Sequence, residues 1–133
     1  FDAAVLMEVY EHIHPENCQN FLKGVRGLLK DDGYLFLTVP HVNKPVEYKH
    51  FQHFSISSIT EQLSDYFDII EVRPFEVRGI LRRVLNSILC NRYFILNHQG
   101  MLDLLFRFHR DKLFVCPSEG DCQRIYVKAR RKK

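Results

Sequence analysis

The sequence predicts an α/β fold built on a parallel sheet. Three observations carry this: a short apolar run at Ala3–Met7, an amphipathic segment from Pro15 to Leu29, and a second apolar run at Tyr34–Val39. Short continuous apolar runs are the pattern of strands buried on both faces. A helix between two such strands makes one right-handed strand–helix–strand unit.

The elements follow in order. Asp2 suits a loop entering the sheet ahead of the first strand. Pro15 opens the helix, where its missing N–H costs nothing. Phe21, Leu22, Val25, Leu28 and Leu29 recur on one helical face. Gly24 and Gly27 read as close-packing positions against the sheet. Asp31-Asp32-Gly33 stops the helix, with Gly33 fit for a left-handed cap. Tyr34–Val39, β-branched and aromatic, is a central strand that Pro40 ends.

Residues 41–55, HVNKPVEYKHFQHFS, form a polar, His-rich loop. Loops after the carboxyl ends of parallel strands are where α/β sheets place their sites. Ser57 or Ser58 caps the next helix, with Glu61 as capping-box partner of Ser58. Ile59, Leu63 and Tyr66 or Phe67 line its inner face, and Phe67–Val72 reads as a strand. A helical insert then occupies residues 77–113. Val77, Ile80, Leu81, Val84, Leu85, Ile88 and Leu89 form one stripe, and Met101–Phe108 a second apolar helix. The stripe reads as core or as a helix–helix contact. Its alternative is a basic amphipathic helix, residues 77–96, on a membrane surface or over a lipid-like acceptor. The last strand is Arg124–Ala129.

At 133 residues the chain has the length of one domain. Its charge of +3 is too small to argue for nucleic acid. Cys18, Cys90, Cys116 and Cys122 include no CxxC pair, so they read as reduced thiols of a cytoplasmic protein. No apolar run is long enough to span a bilayer.

The ordered motifs Phe1-Asp2-Ala3-Ala4-Val5, Glu8-Val9-Tyr10-Glu11-His12-Ile13, Leu28-Leu29-Lys30-Asp31-Asp32-Gly33, Leu37-Thr38-Val39-Pro40 and His50-Phe51-Gln52-His53-Phe54-Ser55 resemble class I S-adenosylmethionine-dependent methyltransferases. The resemblance implies a partial Rossmann-like methyltransferase sheet with flanking helices. In the family order 3-2-1-4-5-7-6, this chain would supply strands four to seven, with the insert before the last. Residues 1–133 are then the C-terminal part of a methyltransferase domain, starting after the Gly-rich loop and the ribose-binding carboxylate. The resemblance implies S-adenosylmethionine as cofactor, with Met7, Glu8 and Val9 beside its methionine portion, and an unidentified methyl acceptor. The bared edge strand Phe1–Met7 invites self-association.

His12 is the candidate catalytic base, because an imidazole titrates near neutrality. Capping of local backbone groups is the other reading of it. Glu8, Glu11 and His12, spaced i, i+3, i+4, would share a helical face, with His53 or His50 arriving from the loop. Two carboxylates and two imidazoles suit a divalent metal. The set resembles the metal quartet of small-RNA 2′-O-methyltransferases. In metal-independent relatives the same residues hold the loop by hydrogen bonds. A non-catalytic association fragment is the alternative of a different class.

Overall fold

A computed structural model describes residues 1–132. Four strands form one sheet in the order β1-β2-β4-β3, with β1 Ala3–Met7, β2 Tyr34–Pro40, β3 Phe67–Val77 and β4 Cys122–Arg131. β1 and β2 run parallel, and β4 runs antiparallel to both β2 and β3. This is the expected order of strands four, five, seven and six. The carboxyl ends of β1, β2 and β3 therefore lie at one end of the sheet, beside the start of β4.

The helices α1 (Cys18–Leu28) and α2 (Ile56–Ser64) cover one face of the sheet. Leu22, Val25 and Leu29 from the first segment and Ile59 and Leu63 from the second pack on Leu35, Leu37, Val39, Ile125, Val127 and Ala129. A single-sided core changes the reading of β1. Its residues alternate, with Ala3, Val5 and Met7 exposed and Ala4 and Leu6 half-buried against the core. A run that is apolar on both faces is thus covered on one. The outer edge of β1 is unpaired among the described residues.

Three local expectations are corrected. Gly33 is not left-handed, since no described glycine has positive φ. Its requirement is space: a Cβ there would lie 3.0 Å from Leu29 Cβ and from the Lys30 carbonyl oxygen. Gly24 and Gly27 have no such neighbour within 4 Å, so they are not close-packing positions. The α2 capping box is Ser55 with Ser58: Ser58 N–H donates to Ser55 Oγ at 3.1 Å, and Ser55 N–H to Ser58 Oγ at 2.9 Å. The shorter Ser58 takes the place expected for a glutamate.

The insert forms α3 (Ile80–Leu89), α4 (Gln99–Phe108) and a π-helical turn, His109–Phe114. In α3 only Leu85 is buried, so the stripe read as core largely faces solvent. β3 continues past the expected Val72 to Val77 because β4, starting at Cys122, pairs with its whole length. No described helix is long and apolar enough to cross a membrane.

Candidate active site

Two segments meet at the carboxyl ends of β1 and β2. The first is the turn after β1. Glu8 has φ 53°, a left-handed conformation that L-residues avoid. Its N–H still donates to the Thr38 carbonyl at 3.1 Å, so the chain turns sharply without leaving β2. Thr38 Oγ1 donates to Met7 Sδ at 3.4 Å, fixing the last residue of β1. A 3-10 turn, Tyr10–His12, follows. Tyr10 enters the core, stacked on Phe54 with centroids 5.5 Å apart. Glu11 is wholly buried and His12 partly exposed.

The positive φ at Glu8 breaks the helical spacing expected of Glu8, Glu11 and His12. The Glu8 carboxylate turns to Arg124 at the start of β4, 3.4 Å from its Nε. Arg124 Nε also lies 3.4 Å from Glu76, the second non-glycine residue at positive φ. Arg82 of α3 approaches Glu76 from the other side at 2.7 Å. Of this row, Glu8 and Arg124 line a cavity of about 700 Å³, with Met7, Thr38, Phe75 and Tyr126 among the other lining residues.

The second segment is the loop 41–55, which several hydrogen bonds hold in place. Phe51 N–H donates to the Glu11 carbonyl at 2.9 Å. His12 Nδ1 lies 2.9 Å from the Lys49 carbonyl oxygen, and His53 Nδ1 2.9 Å from that of Lys44. His50 Nδ1 meets His53 Nε2 at 2.8 Å. At the far end, His41 contacts Glu119 at 3.0 Å, while Glu119 accepts from Ile56 N–H at 2.7 Å. That N–H, with His41 second, holds the Glu119 carboxyl below its usual range.

The carbonyl partners fix the ring tautomers. A carbonyl only accepts, so His12 and His53 each carry the proton on Nδ1. His53 Nε2 therefore accepts, and His50 donates to it from Nδ1. The Nε2 atoms of His12 and His50 have no hydrogen bond among the described residues, with their ring centroids 4.7 Å apart and Glu11 Oε1 3.9 Å from His12 Nε2. Beside them both Glu11 carboxylate oxygens are buried without a partner among the described residues. Burial pushes the Glu11 carboxyl upward, and burial lowers His50.

The structure therefore brings Glu11, His12 and His50 together, one ligating atom each, all within 4.8 Å of one another. Of the residues expected with them, Glu8 is paired with Arg124, and His53 stands behind His50. Met7, Glu8 and Val9 occupy the turn itself. Sequence reasoning does not single out Arg124, Glu76 or Thr38. The available signal for Arg124 is its place: it pairs in register with Pro40, at the sheet end that holds Glu8.

The sheet order, with an antiparallel β4 between β2 and β3, defines the carboxy-terminal part of the class I S-adenosylmethionine-dependent methyltransferase fold. Solved structures share it. An Archaeoglobus fulgidus SAM-dependent methyltransferase is 15% identical with TM-score 0.59, the match covering 98% of this chain and 59% of that one. The Burkholderia thailandensis 1,6-didemethyltoxoflavin-N1-methyltransferase, solved with S-adenosylhomocysteine, is 14% identical with TM-score 0.59, covering 100% of this chain and 44% of that one. A (4+2) cyclase has the same architecture at 16% identity and TM-score 0.56, covering 98% of this chain and 49% of that one. The chain thus spans about half the length of these structures. No protein-family model matches it, and no curated protein matches it.

Proposed function

We infer that this chain forms the acceptor-side half of an S-adenosylmethionine-dependent methyltransferase site, acting on an unidentified acceptor in the cytoplasm. The observation that carries the reading is the docking of loop 41–55 onto the turn 8–12, at the carboxyl ends of two parallel strands. Such crevices are where open α/β sheets bind ligands.

The residues fit one wall of the cofactor site. The sequence has no GxGxG loop to cradle a nucleoside, but Met7–Val9 form a fixed turn beside an open cavity. S-adenosylmethionine supplies an already activated methyl group on its sulfonium. The protein's part is then alignment and exclusion of water. Met7, held by Thr38, and Val9 offer apolar surface, while Glu8 is oriented by Arg124. His12 presents a free Nε2, able to take a proton from a hydroxyl or amine acceptor. The four cysteines are free thiols, the usage expected in a reducing compartment.

The test is methyl transfer from labelled S-adenosylmethionine by the protein expressed from its complete gene, across hydroxyl, amine and carbon acceptors. Replacing His12 by alanine should lower turnover by about 10²- to 10⁴-fold if His12 is the base. An unchanged rate assigns it to holding the loop through Lys49. No transfer to any acceptor, with the cofactor bound, favours a non-catalytic association module or another reaction on this fold, as in the cyclase.

A second reading, metal-assisted O-methylation, is favoured by the free Nε2 atoms of His12 and His50 beside the unpartnered Glu11 carboxylate. Two imidazoles and a carboxylate suit zinc or manganese, and the His50–His53–Lys44 chain matches the outer support that metal-bound histidines have. A bound cation would lower the pKa of an acceptor hydroxyl. Calorimetric titration with zinc or manganese is expected to show one site, weakened at least ~10-fold by Glu11→Gln. Absence of binding to the native protein removes this reading.

A further inference from the structure

The insert carries a surface that the methyl-transfer reading leaves unused. Helix α3 separates its residues cleanly: Ile80, Leu81, Val84, Ile88 and Leu89 lie along one side, with Arg82, Arg83 and Asn86 opposite. In a ten-residue helix such a stripe is expected to be covered, because short helices are marginal without packing. Here it is open, with Leu81 59% and Ile88 42% exposed. Helix α4 is uncovered too: none of its residues is buried, and Leu104 and Phe106, on different sides of it, are both 62% exposed.

The connection between the helices is built to present its own apolar tip. Asn91 Oδ1 accepts from the N–H groups of Tyr93 and Phe94 at 2.8 and 2.9 Å, forming a closed turn. That turn holds Tyr93 and Ile95 outward, at 83% and 92% exposure. The apolar faces and the tip belong to one continuous stretch of chain.

Charge identifies what covers them. Between Arg78 and Lys112 there are seven Lys/Arg and two Asp. Arg82 is paired with Glu76 and Arg110 with Asp111. Arg78, Arg83, Arg92, Arg107 and Lys112 have no carboxylate partner among the described residues. A protein partner would have to bring carboxylates to these five cations, and its contact core accepts Arg but is depleted of Lys, Glu and Asp. A water–lipid boundary instead takes apolar stripes flanked by Arg and Lys, with aromatic residues at headgroup depth. Helices of ten residues reach about 15 Å, half of a bilayer's apolar thickness, so they lie along the surface.

We propose that the α3–α4 segment, residues 80–108, docks on an anionic lipid surface. The α3 stripe, exposed apolar side chains of α4 and the Tyr93–Ile95 tip enter the headgroup–acyl boundary, and the unpaired cations contact lipid phosphates. This goes beyond the methyl-transfer reading and does not depend on it.

The experiment is co-flotation of the purified protein with unilamellar vesicles, either phosphatidylcholine alone or phosphatidylcholine with phosphatidylglycerol. Binding to the anionic vesicles is expected to be at least ~10-fold tighter, and to weaken several-fold as salt rises from about 0.05 to 0.5 M. The exposed double substitution Leu81→Glu/Ile88→Glu should abolish flotation with an unchanged circular dichroism spectrum. Arg83→Glu/Arg92→Glu should weaken it at least ~10-fold. No binding to either vesicle overturns the proposal, as does equal binding to both. A dimer in light scattering that the Leu81/Ile88 pair converts to monomer, without flotation of the native protein, assigns the surface to a second copy instead.

Discussion

Replacing Tyr10 by alanine is expected to lower the unfolding free energy by about 3–5 kcal/mol, the range for deleting a large buried aromatic. Tyr10 is wholly buried, stacked on Phe54 and 6.1 Å from Phe21 between ring centroids. Its hydroxyl donates to Gln62 Oε1 of α2 at 2.8 Å. One side chain thus ties the turn after β1 to α1, to the loop residue Phe54 and to α2. Alanine leaves a cavity among them, and the elements around it are held by sheet pairing and cannot fully close. Tyr10→Phe keeps the volume and removes only the hydrogen bond, at about 1 kcal/mol. Urea unfolding of both variants separates the packing from the bond. If alanine and phenylalanine cost the same, Tyr10 does not join these elements by packing.

Tyr10 also marks a limit of what the sequence reveals. Between Val9 and Glu11, in a segment of acidic residues and histidines, Tyr10 carries no periodic signal. Its burial arises because a 3-10 turn, and not an α-helix, follows β1. The i, i+3, i+4 spacing of Glu8, Glu11 and His12 assumes a helix beginning at Glu8. The backbone of Glu8 lies in the left-handed region, and the turn begins two residues later. Glu11 therefore points into the protein while Glu8 points along the sheet end. The segments themselves were legible: the apolar runs at 3–7 and 34–39 are strands, Pro15 opens the helical segment, and the strands follow the expected order.

Solvent on the second face of the sheet was not legible. An apolar run looks the same whether one face or both are covered, and only the placement of α1 and α2 decides. The insert shows the same ambiguity in a helix. Its stripe has the spacing of a core-facing helix, yet Leu85 alone reaches the body. The His-rich loop was legible as a site because of its position after β2. The choice of His50 over His53 was not, since it depends on which ring finds a backbone carbonyl.

Replacing Arg124 by alanine is expected to cost about 2 kcal/mol. That is below the ~3–5 kcal/mol of a fully buried pair because the side chain keeps part of its water. The cost arises on its partners. Glu8 and Glu76 both approach Arg124 Nε at 3.4 Å, and one Glu8 oxygen is already buried without a donor. Without the guanidinium, Glu8 has no cation and Glu76 has Arg82 alone. Arg124→Lys keeps the charge but loses the planar fork that serves two carboxylates, so it should fall between alanine and the native protein. Because Glu8 and Glu76 both adopt left-handed backbone conformations, Arg124 restrains a strained turn after β1 and a strained residue within β3 at once. In the Arg124→Ala background, Glu8→Gly should therefore be more stable than Glu8→Ala by about 1 kcal/mol, the left-handed cost that glycine avoids. Equal stability of the two Glu8 variants would mean that the turn relaxes once the ion pair is lost, and that Arg124 creates the strain as well as holding it.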